Sequence, residues 1–222
     1  MNTFAKFAVA AVAVVAVGFV GLNFLRPDGT GGVGAPSAAP SPTVAPTATP
    51  SPVPTPPPLS GQFTSAMHGL RLRYPATWES RPATVPWISG FLDFGNESGD
   101  VLYEPSNPGN VWLAMASHPL GDRTPAEWEA EVWQYLADDD PGAAACPAEA
   151  RPVMIDSASG VIACNLALVT DAGRGYYVGL YVSDDDPRNV EMYDAAWFAS
   201  VLARMELRPD EAVDAIESPA PS

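Results

Sequence analysis

Alternation of apolar and polar residues predicts most of the strands in this chain. In HGLRLRYP (68–75), leucine and tyrosine alternate with arginine, which is the pattern of a half-buried strand. Residues 110–117 predict a second strand, and residues 151–155 predict a short one. Residues 161–169 and 175–183 flank the turn-rich sequence TDAGR, so these two runs predict an antiparallel hairpin.

Two further segments follow a helical period. Thr124, Pro125 and Glu127 have the spacing of an N-cap, a first-turn proline and a capping box. The apolar stripe of this helix consists of Trp128, Val132, Tyr135 and Leu136. A second helix is predicted to start at Asp186, with apolar positions at Val190, Tyr193, Trp197, Phe198, Val201 and Leu202. A short strand at 205–209 follows, and this order predicts the α+β class, an antiparallel sheet with helices packed on it.

The first 26 residues contain an uncharged apolar run. Residues 7–25 have no charged side chain and would span ~29 Å as a helix, close to the hydrocarbon thickness of a bilayer. Lys6 precedes the run, Arg26 follows it, and no small-x-small cleavage site comes directly after it. We therefore predict a short cytoplasmic end and a transmembrane signal anchor over 1–26, with a cleaved signal peptide as the alternative.

A proline-rich stretch separates this run from the rest of the chain. Residues 27–60 hold 11 prolines among 34 residues, a composition that predicts a disordered linker with polyproline II bias. All six Trp and both Cys lie beyond Gly61. We predict a globular domain over 61–209 and a flexible acidic tail over 210–222.

The charge balance excludes one class of partner. Lys and Arg total 11 against 26 Asp and Glu, which gives a net charge of −15 and a pI near 4.2. Such a field repels polyanions, so the composition excludes nucleic-acid binding.

The two cysteines indicate the compartment. Cys146 and Cys164 have neither zinc-ligand spacing nor the C-x-x-C arrangement, so a structural disulfide is the best interpretation. In the chain-entropy model, closing this loop contributes roughly 3 kcal/mol. Because disulfides persist outside the cytoplasm, we predict a single-pass cell-membrane protein with its globular domain on the extracytoplasmic side.

The search for catalytic groups finds no motif. His68 and His118 flank predicted strands, which predicts loop positions near the surface. The G-x-S-x-G, H-E-x-x-H and P-loop patterns are absent, and no G-x-G-x-x-G pattern occurs in the predicted globular domain over 61–209. We predict a protein that is not an enzyme, with no catalytic residue, cofactor or metal; a hydrolase that uses either histidine with nearby acids is the alternative, since triads assemble in space.

Two acidic runs and one aromatic segment carry further hypotheses. Turn and capping roles are predicted for residues 138–140 and 184–186, with calcium binding as the alternative. The apolar segment after the first strand is predicted to pack in the core. The alternative is a candidate binding surface formed by Trp87 and Phe91 together with Arg174 and Tyr176 at the hairpin turn.

The stretch HGLRLRYPATW (68–78), the hairpin strand GRGYY (173–177) and the closing helix with Trp197-Phe198 resemble PsbP-like domains. Related bacterial envelope proteins carry a single anchor, a Pro/Thr-rich linker and a domain of this kind. The resemblance implies an α/β/α sandwich with a six- or seven-stranded antiparallel sheet, and it implies binding rather than catalysis. It carries over no functional residue.

Taken together, these features predict a membrane-tethered extracytoplasmic interaction or ligand-binding module of unknown specificity. The expected partners are an unknown envelope protein or a small ligand, besides the bilayer that residues 7–25 would enter. A hydrolase and a purely structural envelope protein remain the alternatives.

Overall fold

The computed structural model describes residues 54–87, 97–106 and 110–213. Within these ranges the chain forms ten strands, three α-helices and two 3₁₀-helices. The strands are β1 Gly61–Ser65, β2 Leu70–Tyr74, β3 Glu79–Arg81, β4 Asp100–Tyr103, β5 Val111–Pro119, β6 Arg151–Ile155, β7 Ala158–Ala163, β8 Leu166–Asp171, β9 Arg174–Val182 and β10 Glu206–Leu207. The helices are α1 Pro125–Asp139, α2 Pro187–Met192, α3 Ala195–Leu202 and the 3₁₀-helices Pro141–Glu149 and Pro209–Glu211. The first of these 3₁₀-helices is called the 3₁₀ segment below.

Seven strands form one antiparallel sheet in the order β3-β4-β5-β9-β8-β7-β6. This large sheet and its flanking helices confirm the predicted α+β class. A second, three-stranded antiparallel sheet has the order β1-β2-β10. The sequence did not separate it from the large sheet.

Alternate residues of β5 face two different layers. Leu113 and Met115 belong to a hydrophobic cluster with α3 and the three-stranded sheet. Ala114 and Ala116 belong to a second cluster with α1 and the 3₁₀ segment. The large sheet therefore lies between two layers, and each of its faces is buried by a separate core.

Helix α1 begins as predicted. Thr124 is its N-cap, and the Thr124 and Glu127 side chains form the reciprocal capping box. The buried residues of α1 are Trp128, Val132 and Trp133. Tyr135 and Leu136 are half-buried. The predicted apolar stripe was wrong in omitting Trp133, which is buried in the cluster that also contains Cys146 of the 3₁₀ segment.

The predicted single strand over 161–169 is wrong. A two-residue turn at Cys164 and Asn165 divides it into β7 and β8, which pair with each other. Both turn residues have left-handed backbone angles, with φ values of 46° and 59°. Turns of this kind are usually marked by Asn-Gly, and the absence of glycine here hid the turn. The predicted hairpin across TDAGR is confirmed as β8 and β9.

The predicted second helix is also divided. Asp186 caps α2 as expected, since its carboxylate accepts from the Arg188 N–H. Helix α2 ends at Met192, and Asp194 then accepts from the Trp197 N–H as the N-cap of α3. An internal cap therefore restarts the helix. The predicted apolar position at Val190 was wrong, since this side chain is 48% exposed on α2. The other predicted positions share one core: Tyr193, Trp197, Phe198, Val201 and Leu202.

The two edges of the large sheet differ from its interior strands. Strand β3 has three residues, all exposed. Strand β6 contains Pro152, which has no backbone N–H to donate to a neighbouring strand.

Candidate functional site

An open groove of about 530 Å³ lies between α1 and the 3₁₀ segment. The apolar side chains that line it are Ala126, Ala130, Trp133, Ala137, Ala144 and Pro147. Glu129 is the charged residue among the described residues of this lining, and its carboxylate accepts from the Trp133 indole N–H at 3.3 Å. Small side chains on α1 and the Trp133 ring give this groove a mainly apolar lining.

His118 lies beneath α1, on the side of β5 that faces α1 and the 3₁₀ segment. The Trp128 indole N–H donates to its Nε2 at 2.8 Å, and its Nδ1 lies 2.7 Å from the Pro119 carbonyl oxygen. Trp87 packs edge-on against the imidazole, with ring centroids 4.5 Å apart. These partners fix the neutral ring with its proton on Nδ1, and burial lowers the pKa of His118 to about 4.

The low pKa of His118 predicts acid destabilisation. Because the folded-state pKa of about 4 lies below the ordinary value of 6.5, the unfolded chain binds the proton more strongly between these values. The contribution of neutral His118 to the free energy of unfolding is complete above about pH 6.5 and is lost as the pH decreases towards 4. We expect a loss of about 2 kcal/mol in the free energy of unfolding between pH 7.5 and 5. Urea unfolding of wild type and His118→Gln, whose amide can still accept from Trp128, measures this; equal pH dependence in both proteins contradicts the assignment.

His68 lies on the opposite side of the large sheet and is fully buried. Its Nδ1 accepts from the Ser117 N–H at 3.0 Å, and its Nε2 donates to the Ser98 carbonyl oxygen at 3.0 Å. Burial lowers the pKa of His68, and Asp100 partly opposes this effect. The ring therefore joins the turn before β2 to β5 and to the residues that lead into β4.

The hydroxyl beside His68 is not arranged as a nucleophile. Ser117 Oγ donates to the His68 backbone carbonyl at 2.9 Å and accepts from Arg174 Nη1 at 3.1 Å. A serine nucleophile needs its hydroxyl against an imidazole nitrogen, and here both ring nitrogens of His68 contact backbone groups. The prediction that His68 and His118 are surface residues was wrong: they are 0% and 3% exposed. His68 is buried against partners 30 and 49 residues away, whereas α1 and Trp87 cover His118.

The structure places the predicted binding-surface residues inside the protein. Trp87, Arg174 and Tyr176 are 3%, 5% and 0% exposed, so they do not form an outer surface. Arg174 and Tyr176 lie on the same side of β9, beside Ser117, whereas Trp87 packs against His118 on the other face. Phe91 lies outside the described residues. Trp87 packs in the core, as the main prediction for its segment stated.

The groove was not predicted from the sequence. Its wall is formed by Ala126, Ala130 and Ala137 on α1, at spacings of four and seven residues. Such a row of small residues on a helix was a usable signal, but the opposite wall is irregular and carries no sequence pattern.

The structure pairs Cys146 with Cys164, with their Cα atoms 5.6 Å apart. This disulfide agrees with the predicted pairing and joins the 3₁₀ segment to the turn between β7 and β8. Its Cys146 end lies within the groove wall, since Ala144 and Pro147, before and after Cys146 in the sequence, line the groove.

The acidic runs have the local roles predicted for them. Asp140 accepts from the Gly142 N–H at the start of the 3₁₀ segment, and Asp186 caps α2. Within the described ranges, no group of three or more His, Cys, Asp or Glu side chains is placed to hold a metal ion.

Residues 7–25, the predicted anchor, lie outside the described residues. In the part of the chain that the structure does describe, no helix has the length and apolarity to cross a membrane.

Solved structures similar to this chain include the solution structure of cyanobacterial PsbP (CyanoP) from Synechocystis sp. PCC 6803. It has a TM-score of 0.42 and 12% identity, over 66% of this chain and 91% of that chain. A crystal structure from Bacteroides thetaiotaomicron VPI-5482 matches with a TM-score of 0.34 and 14% identity, over 68% of this chain and 49% of that chain. No protein-family model matches the chain, and no curated protein matches it.

Cyanobacterial PsbP is a protein of the group that the stretch at 68–78 resembles. The identity and TM-score are too low to transfer a function from it or to assign a family. Membership in the PsbP-like family therefore stays a prediction.

Proposed function

We propose that this chain is a membrane-tethered extracytoplasmic binding module. The observation that carries the proposal is the disulfide between Cys146 and Cys164, because disulfides persist in oxidising compartments outside the cytoplasm. The uncharged run at 7–25 and the proline-rich stretch at 27–60 support a tether, since they have the composition of an anchor and a spacer.

The proposed binding face is the groove between α1 and the 3₁₀ segment. Its occupant is an extended, uncharged apolar segment of an envelope protein. The apolar lining and the single carboxylate favour such a segment over an anionic one, because a net charge of −15 repels anions. A hydrolase receives no support from the described residues, since both histidine rings have their nitrogens in contacts within the protein.

The location is tested with the full chain in a bacterial host. We expect the chain to stay in the membrane after an alkaline wash, to be cut by protease added outside spheroplasts, and to contain an oxidised cysteine pair. A matched chain without residues 7–25 should be protected from the protease and keep two free thiols. A mature N-terminus beyond residue 25, or protection of the full chain from the protease, contradicts the tether.

The groove is tested by substitution. Ala130→Glu places a charge in the groove, and Ser159→Glu places the same charge on exposed β7, away from it. A partner that is identified with the wild-type chain and purified should lose at least tenfold in affinity for Ala130→Glu, about 1.4 kcal/mol, and bind Ser159→Glu normally. Equal binding to both variants contradicts the groove, and a small ligand that saturates it contradicts the protein partner.

A further inference from the structure

We infer that Cys164 is the reactive end of a labile disulfide, and that thiol–disulfide exchange at Cys164 releases the 3₁₀ segment from the large sheet. This is a site of covalent modification by a thiol. It goes beyond the proposed binding function and holds whatever the groove binds.

The two sulfur-bearing residues have different environments. Cys146 is 5% exposed and belongs to the cluster beneath α1. Cys164 is exposed, at the tip of the β7–β8 hairpin. A thiolate must approach the sulfur that it attacks, and exchange rates depend on that access. Cys164 is therefore the residue that an external thiol reaches first.

The backbone keeps Cys164 at the tip of the hairpin. Its φ of 46° lies in the left-handed region, as a two-residue turn of this kind requires, and the pairing of β7 with β8 holds that turn. Exposed disulfides are among those with labile, regulatory behaviour.

The other end of the disulfide has little else to hold it. Of the nine residues Pro141–Glu149, all of them described, Cys146 alone is buried. Backbone hydrogen bonds at the two ends of the segment run from the Ala143 N–H to Asp140 and from the Ala150 N–H to Pro147. Pro147 lies inside the segment and has no N–H. Without the disulfide, the remaining attachment of this groove wall is its packing against α1 and β7.

The exchange proceeds in two balanced steps. A thiolate attacks Cys164 Sγ, a new sulfur–sulfur bond forms, and the Cys146–Cys164 bond breaks with its electron pair on Cys146 Sγ, which takes a proton from water. A second thiolate then attacks the external sulfur of this mixed disulfide and releases Cys164 as a thiolate. The protein gains two electrons, and two external thiols become one disulfide.

The test uses the full chain in detergent micelles at pH 8, with reduced glutathione as the probe thiol. After rapid alkylation, mass spectrometry should find the glutathione adduct on Cys164 at least about tenfold more often than on Cys146. Hydrogen exchange of residues 143–149 should become at least about tenfold faster on reduction, whereas β8 and β9 change less than about twofold. Cys146→Ala without reductant should reproduce this local change; if that variant does not fold, the reduced wild-type protein gives the same measurement.

Three results overturn the inference. These are equal adducts on both cysteines, a disulfide that glutathione reduces only in denaturant, and faster exchange throughout the large sheet on reduction. The last two would make the disulfide a structural one that is stable in the folded protein or required for it. None of these readouts depends on a partner or on membrane orientation, so failure here is distinguishable from failure of the proposed function.

Discussion

Replacing Gly175 by alanine is expected to lower the free energy of unfolding by at least about 3 kcal/mol. A Cβ atom at this position in β9 would lie 2.4 Å from the Trp128 ring. Trp128 is 1% exposed and its indole N–H donates to His118, so the ring cannot move aside without losing this hydrogen bond and its packing. Urea unfolding followed by far-ultraviolet circular dichroism measures the loss.

Gly179→Ala is the matched control for this prediction. Gly179 lies on the same side of the same strand, and its added Cβ would meet tyrosine side chains at 3.0 Å or more. We expect a cost of about 1 kcal/mol or less there. In a Trp128→Leu background the Gly175→Ala cost should shrink to a similar value, because the obstructing ring is gone. Equal costs at the two glycines, or a Gly175→Ala cost unaffected by Trp128→Leu, contradict the close packing of α1 on β9.

His68→Ala is expected to cost about 3 kcal/mol of unfolding free energy. The substitution leaves a cavity between β2 and β5, and it removes the imidazole partners of the Ser117 N–H and the Ser98 carbonyl. His68→Asn retains an acceptor and a donor near the ring position and should recover part of the loss. Thermal unfolding of the three proteins at pH 7.5 orders them, with wild type the most stable.

Unchanged stability together with a lost activity would assign a different role to His68. A His68→Ala protein as stable as wild type, with a loss of some measurable hydrolysis, would indicate a catalytic group rather than a structural one. Because the ring is fully buried and both nitrogens contact backbone groups, we expect stability to be the property that changes.

Local signals predicted the elements that depend on neighbours in the chain. The alternation around Leu70 and Leu72 predicts β2, and Thr124 with Glu127 predicts the start of α1, because these patterns express backbone geometry and capping within a few residues. The class of fold followed from their order.

The misses have a different physical origin. The turn at Cys164 and Asn165 depends on left-handed backbone angles without a glycine, and the break between α2 and α3 depends on a cap by Asp194 inside an unbroken apolar pattern. The burial of His68 depends on Ser117, 49 residues away, and strand β10 pairs with β2 across most of the domain. No short window of sequence contains both members of such contacts.

The candidate site follows the same division. The pairing of Cys146 with Cys164 was predictable because the chain contains two cysteines. The groove beside Cys146 was not, because one of its walls is the 3₁₀ segment, whose position is set by its tertiary contacts with α1 and with β7. Trp87 and Tyr176 were candidates for a binding surface because they are aromatic, and both are buried. Aromatic content alone does not distinguish a core from a recognition surface.

The two edge strands of the large sheet, β3 and β6, are poorly suited to pair with the sheet of another copy. Strand β3 offers three residues, and Pro152 removes a donor from β6. Copies of a chain concentrated on one surface collide often, and sheets with long free margins would join from copy to copy into insoluble ribbons. For a chain tethered as proposed, the short β3 and Pro152 in β6 would keep crowded copies separate.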